Sequence, residues 1–161
     1  MRSKSSKNLK RILIIKLSAL GDVVHTLPVP RTLRQEYPDA FIAWMIEERY
    51  QELLHNNPDI DEIITIRTKV WRKNWNRETF NEILQIIKNL RQKKFDVVFD
   101  LHGLIKSGII AMLSGAKTKV GFHRKNCKEK INSIFTNIKG PYMAGGIHVV
   151  DMYLTLVQSV L

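Results

Sequence analysis

A chain of 161 residues with 44% hydrophobic and 25% charged residues has the composition of one globular domain with a real core, and too little length for two. Its apolar runs are too short or too interrupted to span a bilayer, and Lys16 cuts the run behind the basic N-terminus, which argues against a signal peptide and for a cytoplasmic protein. A single cysteine, Cys127, excludes an internal disulfide and a cysteine-based metal cluster, while a net charge of +11 directs attention to anionic partners.

The charge is patterned. Residues 1–11 carry five cations, residues 67–77 five, and residues 117–130 six against one acid. Residues 1–10 read as a basic disordered tail, and 11–161 as the folded domain. "RILIIKL" (11–17) is an Ile-rich continuous run suited to a strand buried on both faces. Residues 21–36 read as a helix, with Pro28 and Pro30 in a kinked first part, ended by Pro38. "FIAWMI" (41–46) is a second strand, followed by a short helix through "EERYQELLHNN" and a third strand, "EIITI" (62–66). Residues 67–77 read as a cationic loop. The helix from Arg77 to Lys94 is marked by Phe80, Ile83, Leu84, Ile87 and Leu90, spaced to form one apolar face. "FDVVFDL" (95–101) is a fourth strand, "LIKSGIIAMLSG" (104–115) a helix closed by Gly115, and "KVGF" (119–122) a fifth strand. A loop containing Gly140-Pro141 and Gly145-Gly146 leads to a last helix from His148.

Alternating strands and helices with buried-type strands predict an α/β fold, a Rossmann-like parallel sheet with helices on both faces. Ligands of such sheets bind at the carboxyl ends of the strands, so the loops at 17–22, 46–49, 67–77, 100–104 and 122–127 are where chemistry is expected.

In the first loop, "KLSALGDVVH", Ser18, Ala19 and Gly21 let the backbone pass close to a ligand, and a helix N-terminus follows. Neither the dinucleotide pattern G-x-G-x-x-G nor a Gly-Lys-Ser/Thr triphosphate loop is present. Asp22 has a bland explanation as a first-turn acid stabilised by the helix dipole. In "IRTKVWRKNWNR", Arg67, Lys69, Arg72, Lys73 and Arg77 accompany Trp71 and Trp75, four apart and on one side if helical. Two readings stand there: phosphate contacts with stacking on a sugar or base, or tryptophans docking the loop while the cations are merely solvated. In "FDLHGLIKSG", Asp100 ends a strand and His102, Gly103, Lys106 and Ser107 surround a helix start. His102 is either a proton carrier or, as a lone loop histidine more often is, structural. The charge of "VGFHRKNCKEK", with His123, Arg124 and Lys125, reads as mostly solvated surface.

Taken in order, "SALGDVVHTLP", "IRTKVWRKNW", "FDVVFDLHGLIKSG" and "HVVDMYL" resemble the lipopolysaccharide heptosyltransferase family, two-domain GT-B glycosyltransferases, and within it the members that add the first heptose of the inner core. The likeness runs from Arg11 to the C-terminus. It implies an ADP-heptose donor, a Kdo2-lipid A acceptor and inversion by direct displacement, with no metal or cofactor. By motif position it makes Asp22 the general base. It gives Ser18, Gly21, Arg67, Lys69, Arg72, Lys73, His102 and Lys106 to acceptor binding, with the 67–77 segment as an acceptor clamp. It also implies that the donor-binding C-terminal domain is absent and that this domain alone is inactive. Peripheral contact with the anionic inner membrane follows from the acceptor's location. The alternative reading of the residues is a basic α/β module for RNA or anionic lipid without catalysis; the resemblance argues against nucleic acid as a partner.

Overall fold

The computed structural model describes residues 9–160. Six strands form one sheet: β1 (Arg11–Ile15), β2 (Phe41–Glu47), β3 (Glu62–Ile66), β4 (Val97–Asp100), β5 (Thr118–Gly121) and β6 (Ile138–Lys139). Every pairing is parallel, and the order is β3-β2-β1-β4-β5-β6. Strand side chains alternate between faces, and β1 shows it directly. Ile12 and Ile14 enter one hydrophobic core with Val29, Leu33, Trp44 and Leu156, while Leu13 and Ile15 enter the other with Met45, Leu90 and Ala111. All four are fully buried, which is why an uninterrupted apolar run suits this central strand.

The first core lies under α1 (Leu20–Thr26), α2 (Pro28–Glu36) and α6 (Val149–Gln158); the second lies under α4 (Arg77–Gln92) and α5 (Ile105–Leu113). The single helix expected over 21–36 is two. Leu27 ends α1, and Pro28, which has no N–H to continue the ladder, opens α2 as its first residue. Helix α4 starts where Asn76 accepts a hydrogen bond from the Thr79 N–H at 2.9 Å. Its buried stripe is rotated from the expected one: of the expected face Leu90 is buried and Ile83 and Ile87 half-buried, Thr79 and Ile86 are covered beside them, and Phe80 and Leu84 stay exposed. Gly115 follows α5 with φ +78°, the left-handed closing residue expected there.

Two further differences bear on the site. The cationic segment is not a loop, because Thr68–Lys73 forms a short helix, α3. It ends before Asn74, so Trp71 and Trp75 do not share a side: Trp71 packs on the second core and Trp75 is 71% exposed. The segment after β5 is also more ordered than expected, with a 3-10 turn at Lys130–Phe135 leading into β6. The tail expected at residues 1–10 falls outside the described residues except for Leu9 and Lys10. Leu9 packs against the first core, and the Lys10 N–H bonds Asp96 at 2.8 Å.

Candidate functional site

β1 sits between β2 and β4, and the chain runs from β1 to α1 on one face and from β4 to α5 on the other, so the loops after these strands part at the switch point, where such folds form a ligand-binding cleft. Asp22 reaches this cleft from the first turn of α1. Its Oδ2 meets two ammonium groups: Lys128 Nζ at 2.5 Å and Lys16 Nζ at 3.7 Å. Asp22 Oδ1 has no hydrogen-bond partner among the described residues. Burial pushes the Asp22 carboxyl up, but the Lys128 hydrogen bond and the Lys16 and Lys128 charges outweigh it and hold the group below the ordinary carboxylate range. Two lysines thus join the helix N-terminus in keeping Asp22 ionised.

Lys16 looked only like an interruption of an apolar run. It is fully buried, and its Nζ donates to the Leu101 carbonyl at 2.9 Å and to the Tyr153 hydroxyl at 2.6 Å. Burial lowers its ammonium to about 8, against the pull of Asp22. Lys128 corrects the reading of its segment as solvated charge: half exposed, it crosses 106 residues of sequence to reach Asp22.

Asp100 organises the β4 loop rather than presenting itself to the cleft. Its Oδ1 accepts from the backbone N–H groups of His102 (3.0 Å) and Gly103 (3.2 Å), and its Oδ2 from Ser107 Oγ (3.0 Å) and Asn132 Nδ2 (2.6 Å). Gly103 has φ +73°, which a side chain would strain, and the turn it makes folds the loop around Asp100. His102 is 2% exposed, and both its ring nitrogens lack a hydrogen-bond partner. Burial first, then the charges of Lys16, Lys106 and Lys128, lower it to about 3, so the imidazole is neutral. A neutral ring with two unused nitrogens can bind a hydroxyl but carries no positive charge to an anion.

Glu47, at the end of β2, was not singled out by its sequence context. It is nearly buried, accepts a hydrogen bond from Thr68 Oγ1 at the start of α3, and faces Lys106 Nζ of α5 at 3.9 Å. Lys106 and the cationic helix are thereby drawn to the same strand end. Ser18, in the loop that leads to Asp22, is half-buried, and Gly21 is exposed with nothing within 4 Å of where a Cβ would stand. Arg67 is already engaged, making two hydrogen bonds to Glu82 at 3.1 and 2.8 Å. Lys69, Arg72 and Lys73 are exposed, with no ion-pair partner among the described residues. A separate groove lined by Arg11, Glu62, Ile64 and Lys93 lies at the amino ends of the strands, away from these groups.

The parallel strand order β3-β2-β1-β4-β5-β6 defines a Rossmann-like domain, with a carboxylate set between lysines at its switch point. A glycosyltransferase family 9 (heptosyltransferase) profile matches residues 83–161. Lipopolysaccharide heptosyltransferase 1 of Pseudomonas aeruginosa is 31% identical over 142 residues, 88% of this chain and 40% of that protein. Its namesake in Escherichia coli K12 is 30% identical over 136 residues, 80% of this chain and 41% of that protein. The E. coli heptosyltransferase WaaC, solved with ADP-2-deoxy-2-fluoro heptose, superposes with a TM-score of 0.85 at 29% identity, covering 94% of this chain and 48% of that one. By sequence and fold this chain groups with the heptosyltransferases of glycosyltransferase family 9 and matches the N-terminal Rossmann-like half of their GT-B fold. It spans about 40% of the length of the curated relatives it matches.

Proposed function

We propose that this domain is the acceptor-binding half of an inverting heptosyltransferase, acting in the cytoplasm on heptose delivered as ADP-heptose and on a Kdo residue of Kdo2-lipid A. The observation that carries the reading is the Asp22 carboxylate, with one oxygen held by Lys16 and Lys128 and the other without a hydrogen-bond partner among the described residues. In the reaction the acceptor hydroxyl oxygen forms a bond to the anomeric carbon as the bond to the ADP oxygen breaks. The hydroxyl proton passes to Asp22 Oδ1. A carboxylate with a depressed pKa is a weak base, so it takes that proton only as the new bond makes the hydroxyl acidic. Correct placement then supplies much of the rate.

Neutral His102 and half-buried Ser18 offer hydrogen bonds to acceptor hydroxyls, and Gly21 leaves the approach to Asp22 open. Lys106 meets acceptor anions from α5. Lys69, Arg72 and Lys73 of α3 face phosphate and carboxylate groups, and Arg67 joins them by exchanging Glu82 for the acceptor. Exposed Trp75 among these cations supports peripheral contact with an anionic membrane surface. In this reading donor binding belongs mainly to the second domain of a GT-B fold.

The test uses the full-length enzyme with ADP-heptose and Kdo2-lipid A. Asp22→Asn abolishes transfer while leaving the fold and micelle binding intact, and surviving activity removes the general-base role. Titration with single-stranded RNA decides against a nucleic-acid module: salt-sensitive RNA binding without saturable Kdo2-lipid A binding would overturn the reading.

A further inference from the structure

Lys16 is 137 residues from Tyr153, yet the Tyr153 hydroxyl is its shortest contact at 2.6 Å. Tyr153 belongs to α6 and is 2% exposed, and the Lys16 Nζ also lies over its ring, 4.5 Å from the centroid. An ammonium group has three N–H donors. One is spent on the Leu101 carbonyl at the end of β4 and one on Tyr153, both fixed and buried. With those two directions taken, the third is left for Asp22 Oδ2 at 3.7 Å.

We propose that Tyr153 is a positioning residue for the reacting carboxylate: its hydroxyl holds Lys16 Nζ against Asp22, so that the seating of α6 on the sheet sets the charge Asp22 experiences. This rests on the reading of Asp22 as the base. The groups facing Lys16 are Asp22 from α1, Asp100 and His102 from the end of β4, Tyr153 from α6, and Lys128 from the segment after β5. The two acids favour its charged form, and burial and Lys128 oppose it. Burial and the Asp22 charge push the Tyr153 phenol up, so it keeps its own proton and serves Lys16 as an acceptor. Losing that acceptor lowers the proton affinity of Lys16 and frees its ammonium to move away from Asp22, which leaves Lys128 as the close partner of the carboxylate.

The experiment follows the Lys16 ammonium and Asp22 carboxyl by NMR titration in the 161-residue chain, comparing wild type with Tyr153→Phe, Lys16→Met and the double variant. Tyr153→Phe keeps the ring and removes only the hydroxyl. It lowers the Lys16 midpoint by about one pH unit or more and raises that of Asp22. On the Lys16→Met background the same change leaves the Asp22 midpoint unmoved, because the lysine carries the coupling. An unchanged Lys16 midpoint in Tyr153→Phe, or an Asp22 shift that persists without the lysine, overturns the proposal. Should Tyr153→Phe fail to fold, 3-fluorotyrosine at position 153 weakens the acceptor while keeping the ring, and must shift Lys16 in the same direction or the proposal falls. No substrate enters the titration, so this result is independent of the transfer assay that tests Asp22 itself.

Discussion

Lys16→Met removes a fully buried charge while keeping an unbranched, flexible side chain in its place. The lysine falls from 10.5 to about 8 on folding. At 1.36 kcal/mol per unit, keeping it charged costs about 3 kcal/mol of stability at neutral pH. Methionine abolishes that cost but leaves the Leu101 carbonyl and the Tyr153 hydroxyl without their donor, a loss of about 1–3 kcal/mol. The expected net effect at pH 7 runs from neutral to about 2 kcal/mol of added stability. For a domain of this size that is a Tm rise of up to about 8 °C. The pH dependence is the sharper readout. Because the folded value lies below the unfolded one, the unfolded chain binds more protons between about pH 8 and 10.5. Wild type therefore gains about 2.5 kcal/mol between pH 7 and pH 10, and a chain without the lysine does not. Urea unfolding of both proteins at pH 7, 8.5 and 10 measures the gap directly. If Lys16→Met is destabilised by more than about 3 kcal/mol at pH 7, with a gap to wild type that stays constant as pH rises, the reasoning is refuted. That would be the behaviour of a stabilising ion pair whose loss strands a buried partner.

His102 is held at about 3 in the fold, so the unfolded chain binds more protons between about pH 3 and 6.5 and stability falls as pH drops through that window. The loss from pH 7 to pH 4 is about 3 kcal/mol, and His102→Gln flattens the acid limb by that amount in a circular-dichroism titration. A Cβ at Gly108 would stand 2.6 Å from Phe135 Cδ2 and 2.9 Å from Asn132 Nδ2, the side chain that bonds Asp100. Gly108→Ala costs about 1–3 kcal/mol in thermal melts, whereas Gly21→Ala, with nothing within 4 Å, stays within about 0.5 kcal/mol.

Much of the fold was legible because its determinants are local. The Ile-rich run of β1 marks a strand buried on both faces, Pro28 marks a disturbance of the first helix, and Gly115 marks a helix end, each within a few residues of where it acts. Asp22 and the cationic segment were visible as motif positions. The rotation of the α4 stripe was not, because Phe80, Leu84, Ile83 and Ile86 are equally apolar, and only packing against α5 and the sheet decides which of them are covered. The helical turn of α3 was hidden for a similar reason. Its six residues form no apolar face, and their start is fixed by the hydrogen bond from Thr68 to Glu47, 21 residues away.

The order of apolar and polar residues by itself determined an α/β sheet with helices on both faces, since a strand covered on two sides must be apolar at every position. What surrounds Asp22 was decided only in three dimensions. Lys16 and Lys128 lie 112 residues apart in the chain, and Tyr153 lies beyond both. Nothing in any one of their neighbourhoods marks them as partners of one carboxylate. They meet because the parallel order β3-β2-β1-β4-β5-β6 brings the ends of β1, β4 and β5 to one edge and lays α6 across it. Periodicity reports which side of an element is covered; it carries no record of which distant charge the covering element brings.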